Sequence, residues 1–176
     1  PYRFDSCPLH QLRLTSVSLF FICKITRRYI LDKPLLLISS CLCGVFCRYD
    51  GNHNLINNLQ ALECRYKLIL VCPEELGGLS TPRQPAERKG NTVVTCTGED
   101  VTDAFRYGAQ QTLDIALAHR CKMALLKAKS PSCGKGQIYD GSFSRRLING
   151  DGMATELLRE HQIEVYTEED IEDLLV

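Results

Sequence analysis

Three short apolar runs decide what this chain can fold into. Residues 35–38, 68–71 and 123–126 are each about the length of one buried strand, and each stops at polar or sulfur-bearing residues. An apolar run without polar alternation suits a parallel strand covered on both faces. Between and after the runs the period changes. Leu55, Leu59 and Leu62 fall near one face of a helix predicted over 54–64. Asp100 is placed to cap a longer helix whose face carries Val101, Phe105, Ala109, Leu113, Ala116 and Leu117. A helix over 152–161, a fourth strand over 163–166 and a closing helix over 168–175 complete the pattern. The rhythm of strand, loop and helix predicts one three-layer α/β domain over 35–176, with a mostly parallel sheet and helices on both faces.

Two stretches depart from the rhythm. Residues 1–34 mix apolar residues with scattered arginines and with Cys7 and Cys23, and sustain neither period. We read them as an irregular N-terminal extension. Their apolar stretch meets Lys24, Arg27 and Arg28 within a few residues, too soon for a membrane span, and no small-residue cleavage site follows it. Residues 75–100 are expected to be the least regular part, because Gly77-Gly78, Pro82 and Pro85 interrupt them. Residues 92–97 are expected to form a short strand or hairpin arm.

The topology has a chemical consequence. The first run leads into Cys41, the second into Cys72, and the third delivers Cys133 a few residues past its end. Parallel strands place their carboxyl ends on one edge, where sites in such sheets sit. Three thiols far apart in sequence therefore converge, and Cys47 lies in the same loop as Cys41. Ten cysteines in 176 residues exceed what packing needs. The strand and helix pattern argues against a secreted disulfide framework, and it suggests a reducing cytoplasm where thiols bind metal. Spacing alone leaves zinc, an iron–sulfur centre and thiols that merely cap a sheet edge all open. No Cys-x-x-Cys pair occurs, which excludes a zinc ribbon or a thioredoxin motif.

Polar groups gather on the same loops. Asp50 and Glu74 are candidate general acid–base carboxylates. Arg48 and Arg83 offer planar donors for a carbonyl or anion, and Ser130 and Ser132 offer hydroxyls. Lys plus Arg (21) balances Asp plus Glu (21), so the chain has no electrostatic footprint for nucleic acid. Neither a dinucleotide fingerprint nor a P-loop is present.

Four segments together resemble a known family. They are Ser39-Ser40-Cys41-Leu42-x-Gly44-x-x-Cys47-Arg48-Tyr49-Asp50-Gly51, Val71-Cys72-Pro73-Glu74-x-Leu76-Gly77-Gly78-Leu79 with Thr81-Pro82-Arg83, Gly98-Glu99-Asp100-Val101-Thr102-x-Ala104-Phe105, and Lys129-Ser130-Pro131-Ser132-Cys133-Gly134 with Ile138-Tyr139-Asp140-Gly141. Over about residues 35–168 the chain resembles the thiouracil-desulfidase-like family, long filed as a bacterial domain of unknown function. The resemblance implies a [4Fe-4S] cluster held by three cysteines, with one iron open to a thioamide sulfur. It implies loss of that sulfur by non-redox C–S hydrolysis, and a small thiolated substrate such as thiouracil. It names no sulfide acceptor. Cys41, Cys72 and Cys133 are the expected ligands because each follows a strand, with Cys47 as the alternate. Glu74 and Asp50 are the expected catalytic residues, and Arg48, Arg83, Ser130 and Ser132 the expected substrate-binding ones. A non-catalytic iron–sulfur, zinc-binding or sulfur-transfer module is the alternative reading, and a thiol-based redox enzyme is a third.

Overall fold

The computed structural model describes residues 33–176. The reading of 1–34 as an irregular extension therefore falls, except for its last two residues, outside the described residues. In chain order the elements are β1 (Leu35–Ser39), a 3-10 turn (Ser40–Cys43), α1 (Leu59–Arg65), β2 (Lys67–Val71), α2 (Pro73–Leu76), β3 (Ala86–Lys89), β4 (Thr92–Thr95), α3 (Thr102–Ala118), β5 (Met123–Leu126), β6 (Gln137–Tyr139), β7 (Leu147–Asn149), α4 (Met153–Glu160), β8 (Glu164–Thr167) and α5 (Ile171–Leu175).

The three apolar runs and the fourth strand form one parallel sheet in the order β2-β1-β5-β8. Successive strand residues face opposite sides, so a strand covered on both faces must be apolar at both parities. Leu37 packs with Leu113, Ala116 and Leu158, on the side of α3 and α4. Leu36 and Ile38 pack with Leu62, Ile171 and Leu174, on the side of α1 and α5. The three-layer α/β reading holds. Among the described residues, no helix is long and apolar enough to cross a membrane.

One glycine sets the spacing behind the site. A Cβ at Gly108, in the middle of α3, would lie 1.8 Å from the Pro73 carbonyl oxygen. Any larger residue would push α2 away from α3, and Cys72 and Glu74 would move with it.

The closing helix expected over 168–175 begins only at Ile171, and Val101 rather than Asp100 is the N-cap of α3. Three larger differences stand beside these. The helix predicted over 54–64 begins only at Leu59, because the amides of Asn54 and Ile56 instead bond the carbonyls of Cys41 (2.8 Å) and Leu42 (3.1 Å). The stretch 75–100 is more regular than its glycines and prolines suggest. It holds the end of α2 and the antiparallel hairpin β3–β4, in which the expected arm over 92–97 is β4. A second hairpin, β6–β7, was not foreseen. Strands of three or four residues with the sequences AERK and QIY are too short to show a period.

Candidate active site at the carboxyl edge of the sheet

At the carboxyl ends of β1, β2 and β5 lies a cavity of about 350 Å³, and Cys41, Cys47, Cys72 and Cys133 all line it. Each arrives by a different local device. The 3-10 turn that ends β1 carries Cys41. Cys72 is the N-cap of α2, with Pro73 starting the helix. The Ser130 Oγ accepts the amides of Ser132 and Cys133, both at 3.2 Å, and folds the last cysteine inward. Cys43 does not line the cavity. Burial, helped by the Glu63 charge, pushes its thiol up to about 11.

The thiols are electrostatically unlike. Cys47 lies between Cys41 and Cys72, and those two neighbours hold its own thiol strongly protonated. The Cys47 side chain is the largest cause lowering Cys41 to about 7 against burial, with help from the Asn54 side chain and the Lys127 charge. The same neighbour lowers Cys72. Complete burial pushes Cys133 up, only partly offset by the Ser39 hydroxyl, which donates to its sulfur at 3.5 Å. Four thiols, walled in part by Val71, Pro73, Ala128 and Pro131, suit a soft metal centre in a shell that limits water. A smaller set also exists, since ligand atoms of Cys47, Cys72 and Glu75 lie within 4.8 Å of one another.

Of the two expected catalytic carboxylates, the structure brings only Glu74 to the cavity. Arg83 holds it, with Nε 2.8 Å and Nη2 2.8 Å from Glu74 Oε2. The same guanidinium donates to the Cys47 carbonyl (3.0 Å), the Ser80 carbonyl (3.2 Å) and Thr81 Oγ1 (2.9 Å). All three of its nitrogens therefore bond protein partners. Asp50 does not line the cavity. It accepts the Asn52 amide at 3.1 Å and pairs with Arg48 at 3.0 Å, closing a turn. Arg48 lines the cavity and also donates to Asn54 Oδ1 at 2.7 Å. Ser130 lines it as well, whereas Ser132 is buried beside it with a hydroxyl that has no hydrogen-bond partner.

Among the cavity-lining residues that sequence reading did not single out are Tyr49, Asn54, Glu87, Lys127 and Phe143. Lys127 carried a signal, because it ends the third strand as Cys72 follows the second. Its ammonium pairs with Glu168. Glu87 sits on β3, the unannounced arm of the first hairpin, and Phe143 on the loop of the second, which the sequence does not announce at all.

Known proteins are similar to this chain in sequence and in fold. The family model described as 2-thiouracil desulfurase matches residues 36–170. An uncharacterized protein of Bacillus subtilis (strain 168), YbbK, is 41% identical over 151 residues, which cover 80% of this chain and all of that protein. The solved structure of the [4Fe-4S]-dependent thiouracil desulfidase TudS is similar with a TM-score of 0.77 and 45% identity, over 81% of this chain and 95% of that one.

Proposed function

Because the chain belongs to the 2-thiouracil desulfurase family, we propose that it is an iron–sulfur-dependent, non-redox desulfidase acting on a thioamide or thiolated nucleobase such as thiouracil. The observation that supports this most is the meeting of four thiols and one anchored carboxylate in a single cavity. Cys41, Cys72 and Cys133 are the ligands we assign to a [4Fe-4S] cluster, with Cys47 as the alternate. When bound, such a cluster supplies a soft Lewis-acidic iron for a thiocarbonyl sulfur.

The chain's own residues do the rest. Glu74 takes a proton from water as it adds to the thiocarbonyl carbon, and returns a proton as the C–S bond breaks. Water enters and hydrogen sulfide leaves, so the exchange needs no electrons. Arg83 holds Glu74 in place, and its other protein partners make it a positioning residue. Arg48 and Ser130 line the cavity and are our candidates for substrate contact, with Asp50 orienting Arg48. We place the protein in the cytoplasm, where thiols stay reduced.

Anaerobic reconstitution followed by incubation with 2-thiouracil tests the proposal. A brown protein holding about four irons, releasing uracil and sulfide in equal amounts, is the expected result. The cluster of ligand atoms at Cys47, Cys72 and Glu75 favours a second reading, a mononuclear zinc site. A colourless, zinc-loaded protein that releases no sulfide would establish that reading and sink the first.

A further inference from the structure

The cavity has a wall that the sulfur chemistry does not use. Phe143, on the loop between β6 and β7, lines it with 37% of its surface exposed, and Tyr49, from the loop after β1, lines it with 42% exposed. Aromatic residues left this open commonly serve a ligand rather than a core.

The loop carrying Phe143 is held by a buried charge. Glu87 on β3 is only 9% exposed, and its Oε2 accepts the amides of Gly141 (3.0 Å) and Phe143 (2.9 Å). Phe143 has φ +57°, a left-handed conformation uncommon for an aromatic residue, so the loop needs such an anchor to keep it. Gly141, at φ +86°, lies so close to β3 that a Cβ there would be 2.8 Å from Lys89 Cβ. A buried carboxylate and a strained aromatic backbone thus meet where one ring enters the cavity.

We propose that Phe143 and Tyr49 form an aromatic clamp for one planar heterocycle and that Glu87 positions Phe143, so the site selects ring thioamides over acyclic ones. This rests on the desulfidase reading for the sulfur and on the cavity wall for the ring. Stacking tolerates any flat π-face, so a six-membered thiolated nucleobase is held whereas a small acyclic thioamide gains little.

The test uses the cluster-loaded chain. Anaerobic calorimetry measures binding of uracil, which has no sulfur, and steady-state assays compare 2-thiouracil with thioacetamide. Phe143→Ala should weaken uracil binding about tenfold and raise KM for 2-thiouracil to match, the size expected for losing one stacking face. The value of kcat should stay, and kcat/KM for thioacetamide should not change. Phe143→Tyr should restore both, and Glu87→Ala should copy Phe143→Ala. If Glu87→Ala fails to fold, the exposed Phe143 variants still decide the matter. Unchanged uracil affinity in Phe143→Ala, an equal loss on both thioamides, or a wild type with equal kcat/KM for both overturns the clamp. A wild type that binds uracil through Phe143 yet releases sulfide from neither thioamide upholds the clamp and sinks the desulfidase reading alone.

Discussion

The parallel sheet and the two hairpins wall one cavity, but different forces hold them in place. Leu36, Leu37 and Ile38 of β1 are fully buried, as are Ala124 and Leu125 of β5. Each such Leu or Ile side chain contributes about 1.5–3 kcal/mol by leaving water. The hairpins have less of this, with Val93 of β4 and Ile138 of β6 as their buried aliphatic residues. All three residues of β7 are exposed, and the Arg88 and Glu87 side chains do much of the fastening. Arg88 donates to the carbonyls of Gly90 (2.8 Å) and Asp151 (2.6 Å) and pairs with Glu156 at 2.6 Å. The cysteines therefore inherit their positions from many redundant apolar contacts. The substrate-facing wall depends on a few polar ones, whose loss can be felt singly.

The largest effect we expect is on the sheet side. Cys41→Ser, Cys72→Ser and Cys133→Ser should each reduce iron after anaerobic reconstitution to near background, since a three-ligand cluster cannot lose one. The fold should survive, because the core does not rely on any one thiol. Cys47→Ser should keep its iron. If it loses iron completely while Cys72→Ser retains it, the ligand assignment is wrong.

Next in size is Glu74→Gln. The cluster should load normally, and turnover of 2-thiouracil should fall by about 10²–10⁴-fold, the usual worth of a general acid–base group. Arg83→Lys should lose part of that activity with iron intact, because a single ammonium cannot reproduce the fork on Glu74 Oε2. A fully active Glu74→Gln paired with an inactive Asp50→Asn would move the role to Asp50, against its place outside the cavity.

The same contrast explains what could be read from the sequence. The sheet was legible because both faces of β1 and β5 are buried, which leaves unbroken apolar runs. The convergence of Cys41, Cys72 and Cys133 followed from strand direction alone. Of the hairpins only the arm over 92–97 was legible, since AERK and QIY carry no period and the Glu87 contact that fastens them reaches Gly141, 54 residues away. Arg83 shows the same limit. Its charge suggested a substrate donor, but only the fold reveals that its nitrogens are all engaged. Asp50 belonged to the motif, yet its turn with Asn52 keeps it off the cavity.

A moderate effect tests how the hairpin is fastened. Arg88→Met keeps much of the side-chain volume but leaves the Gly90 and Asp151 carbonyls without their donor. Gly90 is exposed and Asp151 half-buried, so water replaces part of the lost bonding and each acceptor costs less than the about 1–3 kcal/mol of a buried one, which predicts a melting temperature lower by a few degrees. Iron content should be unchanged. A variant that lost its iron along with its stability would show that the hairpin and the cysteine edge do not act separately.

The smallest effect concerns the contact that joins the two regions. Asp170 Oδ2 accepts Lys135 Nζ at 3.0 Å, just before β6, and also the amide (3.3 Å) and hydroxyl (3.2 Å) of Thr167 at the end of β8. The Lys135 hydrogen bond is the main reason its carboxyl sits below the ordinary carboxylate value, against a burial contribution that raises it. A carboxylate depressed on folding adds stability that is fully present above its unfolded value of about 4 and is lost as pH falls through the lower folded value. Both partners are 35% exposed, so solvent screens the pair and the effect is modest. Asp170→Asn should therefore melt slightly below the wild type at pH 7, and the gap should close as the pH is taken below about 4. Added salt at pH 7 should narrow the gap too. A gap that widened on acidification would mean that Asp170 is held in its protonated form and that the joint is not an ion pair.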